Sequence, residues 1–269
     1  MEKFQSFLYN NPVGRLILGI LIRPPVSKFG GLVLNSKISS LYINRFIKNH
    51  AIDMSDYEPC KFKSFNDFFT RKIIPEKRPV DQSPASLISP ADAALSVYDI
   101  NENSIFKIKN SVYTVSELTG CSDFKRFIGG KCLVFRLAVH NYHRYCYIDN
   151  GTKEENKYIK GVFHTVMPVS ADHGVFAKNS REVSLLNTEN FGNVMQIEVG
   201  ALLVGKITNL HQSYTFTKGE EKGMFEFGGS TIVLLFEKDR IKISDLIEKN
   251  SANNIETPVL YGETIGHVK

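Results

Sequence analysis

The ten residues Gly130-Lys131-Cys132-Leu133-Val134-Phe135-Arg136-Leu137-Ala138-Val139 decide the fold class. A strand with one wet face alternates apolar and polar side chains. This run does not: Lys131 and Arg136 are its charged members, and the rest is small or apolar. It is too apolar for a half-exposed strand and belongs in the middle of a sheet. Working outward, further short β-prone runs lie at 94–100, 105–109, 194–199 and 231–236, with Gly, Asn or Asp between them. Asp149-Asn150-Gly151, after the β-prone RYCYI of 144–148, is a turn signal. Helical patterns in this half are short, at 115–127 and 243–250.

Ahead of residue 86 the pattern changes. Leu34, Ile38, Tyr42 and Phe46 recur every four residues, with Leu41 beside them, which suits an amphipathic helix within 32–50. Such a helix packs on its own domain or lies in a membrane interface, where Lys37, Arg45 and Lys48 would assist. Pro24-Pro25 breaks the apolar segment before it. In SFNDFFTR (64–71), Ser64 and Asp67 have the spacing of a helix cap, and Phe65, Phe68 and Phe69 share a helical face. Pro75, Pro79, Pro84 and Pro90 mark a loop or linker. The expectation is an α+β protein: an N-terminal amphipathic helical arm over 1–60, then a mostly β domain over 61–269 that carries the candidate chemistry.

The 269 residues hold 33 Lys and Arg against 28 Asp and Glu, and 42% are apolar, a globular composition rather than a disordered one. The net charge is uneven. Residues 1–50 contain seven basic side chains and one acid, Glu2, so the basic excess belongs to the arm and the remainder is near neutral. Nucleic acid, an anionic membrane surface and a partner protein could each use such an arm. The body has no basic stripe with interleaved aromatics, so nucleic acid is not expected. Four Cys without staple-like spacing point to a reducing compartment. The longest early apolar run, 16–22, has seven residues against the roughly 18 that span a bilayer. It also lacks the basic start and cleavage pattern of a secretory signal.

Three clusters could carry chemistry. Asp92, in Ser89-Pro90-Ala91-Asp92, caps a turn or orients a histidine. His140-Asn141-Tyr142-His143-Arg144-Tyr145-Cys146 follows the apolar strand, with His164 and His173 further on. His and Cys are zinc ligands, but neither a compact Cys/His spacing nor an H-E-x-x-H helix is present, so no metal is expected. Phe227-Gly228-Gly229-Ser230-Thr231 precedes the apolar IVLLF. Two glycines before a serine are ordinarily a tight turn. They also leave the Gly229 carbonyl open to attack by the Ser230 hydroxyl.

With these residues, the chain from about residue 60 onward resembles the phosphatidylserine decarboxylase proenzymes of the prokaryotic, pyruvoyl-dependent type. The family's Gly-Ser-Thr matches Gly229-Ser230-Thr231, and its Ser-Pro-x-Asp matches Ser89-Pro90-Ala91-Asp92. Its Tyr-His-Arg matches Tyr142-His143-Arg144, just after FRLA at 135–138. Segments 187–192 and 197–207 are similar as well. There are departures: Val139 stands for a Pro, Asn141 for an Asp, Cys146 for a second His, and Ala93 where Gly is frequent.

The resemblance implies self-cleavage between Gly229 and Ser230, giving 1–229 (beta chain) and 230–269 (alpha chain), which remain associated. Ser230 becomes a covalent pyruvoyl group, and phosphatidylserine is decarboxylated to phosphatidylethanolamine through a Schiff base to it, with no metal. His143 is the first candidate for the base and Asp92 for its orienting carboxylate. His164, a lone His in a β-prone segment, is the candidate second imidazole in place of Cys146. The implied location is the cytoplasmic side of the cell membrane, held peripherally on anionic lipid by the arm. A dimer of such heterodimers is compatible with this. The rival readings are a serine-type or cysteine hydrolase at a membrane surface, a non-catalytic peripheral membrane-binding protein, and a pyruvoyl decarboxylase of a soluble amino acid. Against the hydrolase, no G-x-S-x-G elbow is present.

Overall fold

The computed structural model describes residues 7–101, 105–108, 111–120, 125–162, 178–200, 206–228 and 230–269. The fold is the expected α+β arrangement: helices first, then a sheet-rich body.

The arm contains the helices Pro12–Leu21, Pro24–Leu34 and Ile43–His50, with a 3-10 turn, Lys37–Tyr42, between the last two. The single amphipathic helix expected within 32–50 is therefore divided. Serines cause the division. Ser36 Oγ donates to Val33 O, Ser39 Oγ to Leu34 O and Ser40 Oγ to Lys37 O. These hydroxyls take carbonyls that a continuous helix would use. The four-residue stripe is split as well: Phe46 is buried, whereas Ile38 and Leu41 are exposed. Pro24 separates two helices and also opens the second, where its missing N–H costs nothing.

In SFNDFFTR the Ser64 hydroxyl accepts from Asp67 N at 3.1 Å and starts the helix Phe65–Phe69. Phe65, Phe68 and Phe69 are buried with Ile43 and Phe46 of the arm, and Val139 and Phe227 of the body pack against them. Burying each such Phe contributes about 1.5–3 kcal/mol, enough to fix the end of the arm to the body.

The body begins with β1 (Ser86–Ile88), β2 (Ala93–Asp99), the hairpin β3 (Ile105–Ile108) and β4 (Ser111–Thr114), and β5 (Lys131–Leu137). Next come β6 (Arg144–Cys146), β7 (Gly151–Lys153), β8 (Lys157–Ile159), β9 (Arg181–Thr188) and β10 (Gly192–Val199). The last part holds β11 (Ile207–Asn209), β12 (Tyr214–Phe216), β13 (Glu221–Phe225), β14 (Ser230–Phe236), β15 (Ile241–Ile243), β16 (Thr257–Val259) and β17 (Thr264–Val268). The helix expected over 115–127 is, in its described part, one turn and a half, Val115–Thr119, plus a 3-10 turn, Lys125–Phe127; Gly120 at φ +59° ends the first. The helix near 243–250 is Asp245–Ala252.

The main sheet is antiparallel in the order β12-β7-β9-β10-β14-β5-β2-β16, with β8 also on β9. The apolar run within 130–139 supplies β5, which lies between β14 and β2. Its neighbour β14 is buried at every position. Smaller sheets, β1-β17-β15 and β11-β13-β6, complete the body. Gly192 turns β9 into β10 at φ +72°, a conformation that favours glycine.

One polar cluster is sealed inside. Lys222 Nζ lies 2.7 Å from Glu198 Oε1, with both side chains fully buried, and also donates to Asn209 Oδ1 at 2.7 Å. Asn209 Nδ2 and Gln196 Nε2 donate to Glu198 in turn.

Candidate active site

Ser230 is the first residue of β14. It faces Leu137 of β5, and Thr231 faces Arg136 on that side and Val199 of β10 on the other. β-Branched residues and leucines make this strand stable when covered on both faces. The consequence is that the hydroxyls of Ser230 and Thr231 are buried without a hydrogen-bond partner among the described residues. A buried hydroxyl in that state costs about 1–3 kcal/mol, so it calls for a reason. Just upstream, Gly228 has φ +140°, backbone that other residues avoid, as the double glycine suggested. Gly229 lies outside the described residues, as does His164.

His143 leads into β6. Its own carbonyl accepts from Phe225 N at 2.9 Å, which joins it to β13 and so to the approach to Ser230. The imidazole is fully buried, with the Phe69 ring 3.9 Å away; Phe227 packs edge-on against that same Phe69. Nδ1 lies 2.9 Å from Asn141 O. A carbonyl only accepts, so Nδ1 carries the proton and Nε2 the lone pair. Nε2 has no hydrogen-bond partner among the described residues, and the Gly228 backbone lies near enough to favour the protonated ring slightly. Burial dominates and pushes the imidazole down to about 3, helped by the charge of Arg71. His143 is thus a neutral base at any physiological pH.

The turn that presents His143 is fixed from both sides. Asn141 Oδ1 accepts from Ala138 N at 2.7 Å, and Asn141 N donates to Ala138 O. Buried Arg71 donates to Phe68 O and His140 O and lies over the Tyr57 and Phe68 rings. Arg144 joins Thr70 O to the Glu221 carboxylate.

Asp92 corrects an expectation. It does not orient His143, whose Nδ1 is held by Asn141. Both Asp92 oxygens are engaged by Arg78, at 3.0 and 2.8 Å, and Oδ1 also accepts from Tyr261 N. Tyr261 then reaches the Cys146 thiol with its hydroxyl, while donating to Gly219 O at 2.9 Å. Tyr261 thus meets Asp92 through its N–H and Cys146, where the resemblance puts a second histidine, through its hydroxyl. Burial pushes the Cys146 thiol up to about 12, so it stays protonated and is not a nucleophile. The sequence carries these residue types but not their partners. Arg78 and Tyr261, which hold Asp92, are not among the residues the motifs single out. Tyr261 is 169 residues from Asp92, a pairing no local spacing could reveal. Arg78 and Asn141 were close enough to notice as polar residues beside a motif.

Among the described residues no group of three or more His, Cys, Asp or Glu is arranged to hold a metal ion. Nor is any helix long and apolar enough to cross a membrane.

The sequence model of the phosphatidylserine decarboxylases matches residues 65–267. The chain is 49% identical over 264 residues to phosphatidylserine decarboxylase proenzyme 2 of Clostridium acetobutylicum, covering 97% of this chain and 90% of the relative. It is 40% identical over 276 residues to the phosphatidylserine decarboxylase proenzyme of Clostridium botulinum Langeland, covering 100% and 94%. Against the proenzyme of Clostridium perfringens the figure is 40% over 274 residues, covering 98% and 93%. Matches of this extent, over a buried serine and a histidine held as a free base, show that the chain belongs to the phosphatidylserine decarboxylase family, whose members are decarboxylating enzymes.

Proposed function

We propose that the chain is made as a precursor, cuts its own backbone between Gly229 and Ser230, and then, as a pyruvoyl enzyme, decarboxylates phosphatidylserine to phosphatidylethanolamine and CO2. One observation carries this reading: Ser230 Oγ and His143 Nε2 are both buried and both lack a partner among the described residues. A nucleophile and a base left so are what an unspent reaction needs, and they fit a pyruvoyl group derived from Ser230.

In the precursor, His143 Nε2 takes the Ser230 hydroxyl proton, and Oγ attacks the Gly229 carbonyl carbon. The peptide C–N bond breaks as that proton passes to the Ser230 nitrogen, leaving an ester. An imidazole with so low a pKa is, once protonated, a strong acid, well suited to the second transfer. Loss of the Ser230 α-proton and rupture of its Cβ–O bond release a carboxylate at Gly229. Water then replaces the nitrogen, which leaves as ammonia. His164 is the proposed second imidazole, and Asp92 supports the site through Arg78 and Tyr261.

When present, the pyruvoyl group supplies a ketone for the substrate amine and a sink for the electrons left as CO2 departs. The chain's own part is to exclude water, which Phe69 and Phe227 do beside His143. The two pieces stay together because the smaller one contributes β14–β17 to two sheets.

The arm over 1–60 is the proposed membrane contact, on the cytoplasmic face and without spanning, with 61–269 as the decarboxylase domain. Supporting this, Leu16, Leu32, Ile38 and Leu41 are each more than two-thirds exposed, on a segment rich in Arg and Lys. A dimer of the cleaved heterodimer is compatible with this arrangement.

Intact mass of the purified protein tests the reading, with Ser230→Ala beside it. The expected result is two pieces for the wild type, ending at 229 and starting at 230 with a pyruvoyl group, and one piece for the variant. A folded wild type that stays one polypeptide with an unaltered serine would overturn it.

A further inference from the structure

Asn66 lies in the helix Phe65–Phe69, over 160 residues from Phe227, yet its carboxamide is spent on the segment ahead of the proposed scissile bond. Phe227 N donates to Asn66 Oδ1 at 2.9 Å. Asn66 Nδ2 donates to Glu226 Oε2 at 3.1 Å and to Asn35 Oδ1 at 3.1 Å. The side chain is buried, and the Phe65 and Phe69 rings on either side of it in sequence both meet Phe227 edge-on at 5.0 Å. From the other direction, Glu226 N donates to Lys206 O and Phe225 N to His143 O. Residues 225–227 are therefore held at every backbone N–H, and among the described residues the side chain that holds both Glu226 and Phe227 is Asn66. Beyond them the chain passes through Gly228 at φ +140° and enters β14 at Ser230.

Gly228 adopts a backbone that other residues avoid, but that freedom alone does not bring a hydroxyl onto a carbonyl. Reacting atoms about 3–3.5 Å apart and aligned are required, and a displacement of about 1 Å can lower a rate a hundredfold. The freedom must be taken up by an anchor just outside the glycines.

We infer that Asn66 is a positioning residue for self-cleavage: its carboxamide anchors Glu226 and Phe227 so that the Gly229–Ser230 bond is presented to the Ser230 hydroxyl. The inference rests on the proposed self-cleavage. Asn66 touches no reacting atom, and the anchor depends on the polarity of its two ends: an acceptor toward Phe227 N and a donor toward Glu226.

That polarity gives the test. Asn66→Asp keeps size and the acceptor toward Phe227 but sets a second carboxylate against Glu226. Adding Glu226→Gln restores a donor and an acceptor across the same gap with their places exchanged. Freshly translated chains would be followed by intact mass for loss of precursor, with Glu226→Gln alone and Ser230→Ala as controls. At pH 8, Asn66→Asp is expected to slow cleavage about tenfold or more, with the double variant within about threefold of wild type. Between pH 8 and pH 6 the single variant should recover in part, as the two carboxylates come to share a proton. A merely structural role would give no such recovery.

Wild-type cleavage in Asn66→Asp would overturn the inference, as would a double variant no faster than the single one. Should the single variant not fold, the double variant decides alone, and slow cleavage there counts against the anchor. A wild type that never splits sinks the proposed function and this inference with it. A wild type that splits while Asn66→Asp splits equally fast sinks the inference only.

Discussion

His143 donates from Nδ1 to the carbonyl oxygen of Asn141, two residues earlier in its own chain, at 2.9 Å. In place of a carboxylate, a backbone carbonyl fixes the tautomer, and its hydrogen bond favours the protonated ring only against the larger effect of burial. Burial, with the charge of Arg71 beside it, outweighs that bond and keeps the ring neutral far below its ordinary pKa of 6.5, down to about 3.

A pH prediction follows from the sign of that shift. Between about 3 and 6.5 the unfolded chain binds a proton at His143 that the folded chain refuses. Stability from this group is complete above 6.5 and is lost as pH falls through the window. Between pH 7 and pH 4.5, the Ser230→Ala precursor should lose about 2–3 kcal/mol more than Ser230→Ala/His143→Phe. Urea unfolding at the two pH values measures it, and equal losses would contradict the burial of a neutral ring.

His143→Asn should slow self-cleavage by about a hundredfold or more, the usual worth of a general base. The wild-type rate should be flat from pH 5 to 8 as far as His143 governs it, because no titration of this ring falls there. Quenched-flow mass analysis would show an inflection near 6.5 if the ring were instead solvated.

Lys222 and Glu198 form an ion pair with both partners fully buried. Lys222→Met strands the carboxylate and should cost about 3–5 kcal/mol, while Lys222→Met/Glu198→Gln should recover most of it. Urea midpoints in the Ser230→Ala background decide; single and double variants of equal stability would show the two are not coupled.

The three free cysteines in the described residues should separate by reactivity. Cys60 is exposed, whereas Cys132 and Cys146 are buried with thiols pushed upward by desolvation. Iodoacetamide on the native protein, read by peptide mass, should label Cys60 and spare the other two at least tenfold, a difference of roughly that size being common between exposed and buried thiols. Fast labelling of Cys146 would reopen a cysteine hydrolase.

Replacing Leu16, Leu32 and Leu41 by Asp should weaken binding to anionic vesicles about tenfold or more, since each is an exposed apolar side chain on a basic segment. Stability in solution should change by less than about 0.5 kcal/mol per site. Vesicle sedimentation with an unchanged bound fraction would remove the arm from the membrane contact.

The strands that carry the site are legible because burial on both faces writes itself as mostly apolar sequence without alternation: 132–135 and 232–236 are the plainest stretches. Short edge strands such as β1 and β16 pair three residues each, too few to leave a period. The arm's periodicity was real, but serine hydroxyls at 36, 39 and 40 overrode it locally. Within the site, Ser230 and His143 could be picked out from their motifs. The partners of Asp92 could not, because Tyr261 comes to it only when β16 pairs with β2.

The place of β14 has a last consequence. It lies between β10 and β5, and β15 and β17 continue from the same segment into a different sheet. The precursor can acquire this weave as one polypeptide, in a reaction of first order. Once severed as proposed, an enzyme that unfolds would become two separate molecules, and recovery would turn second order, failing on dilution. The proposed cut would thus fix the history of the molecule as well as its chemistry: the chain would have to fold before it could be finished, and once finished would be poorly able to fold again.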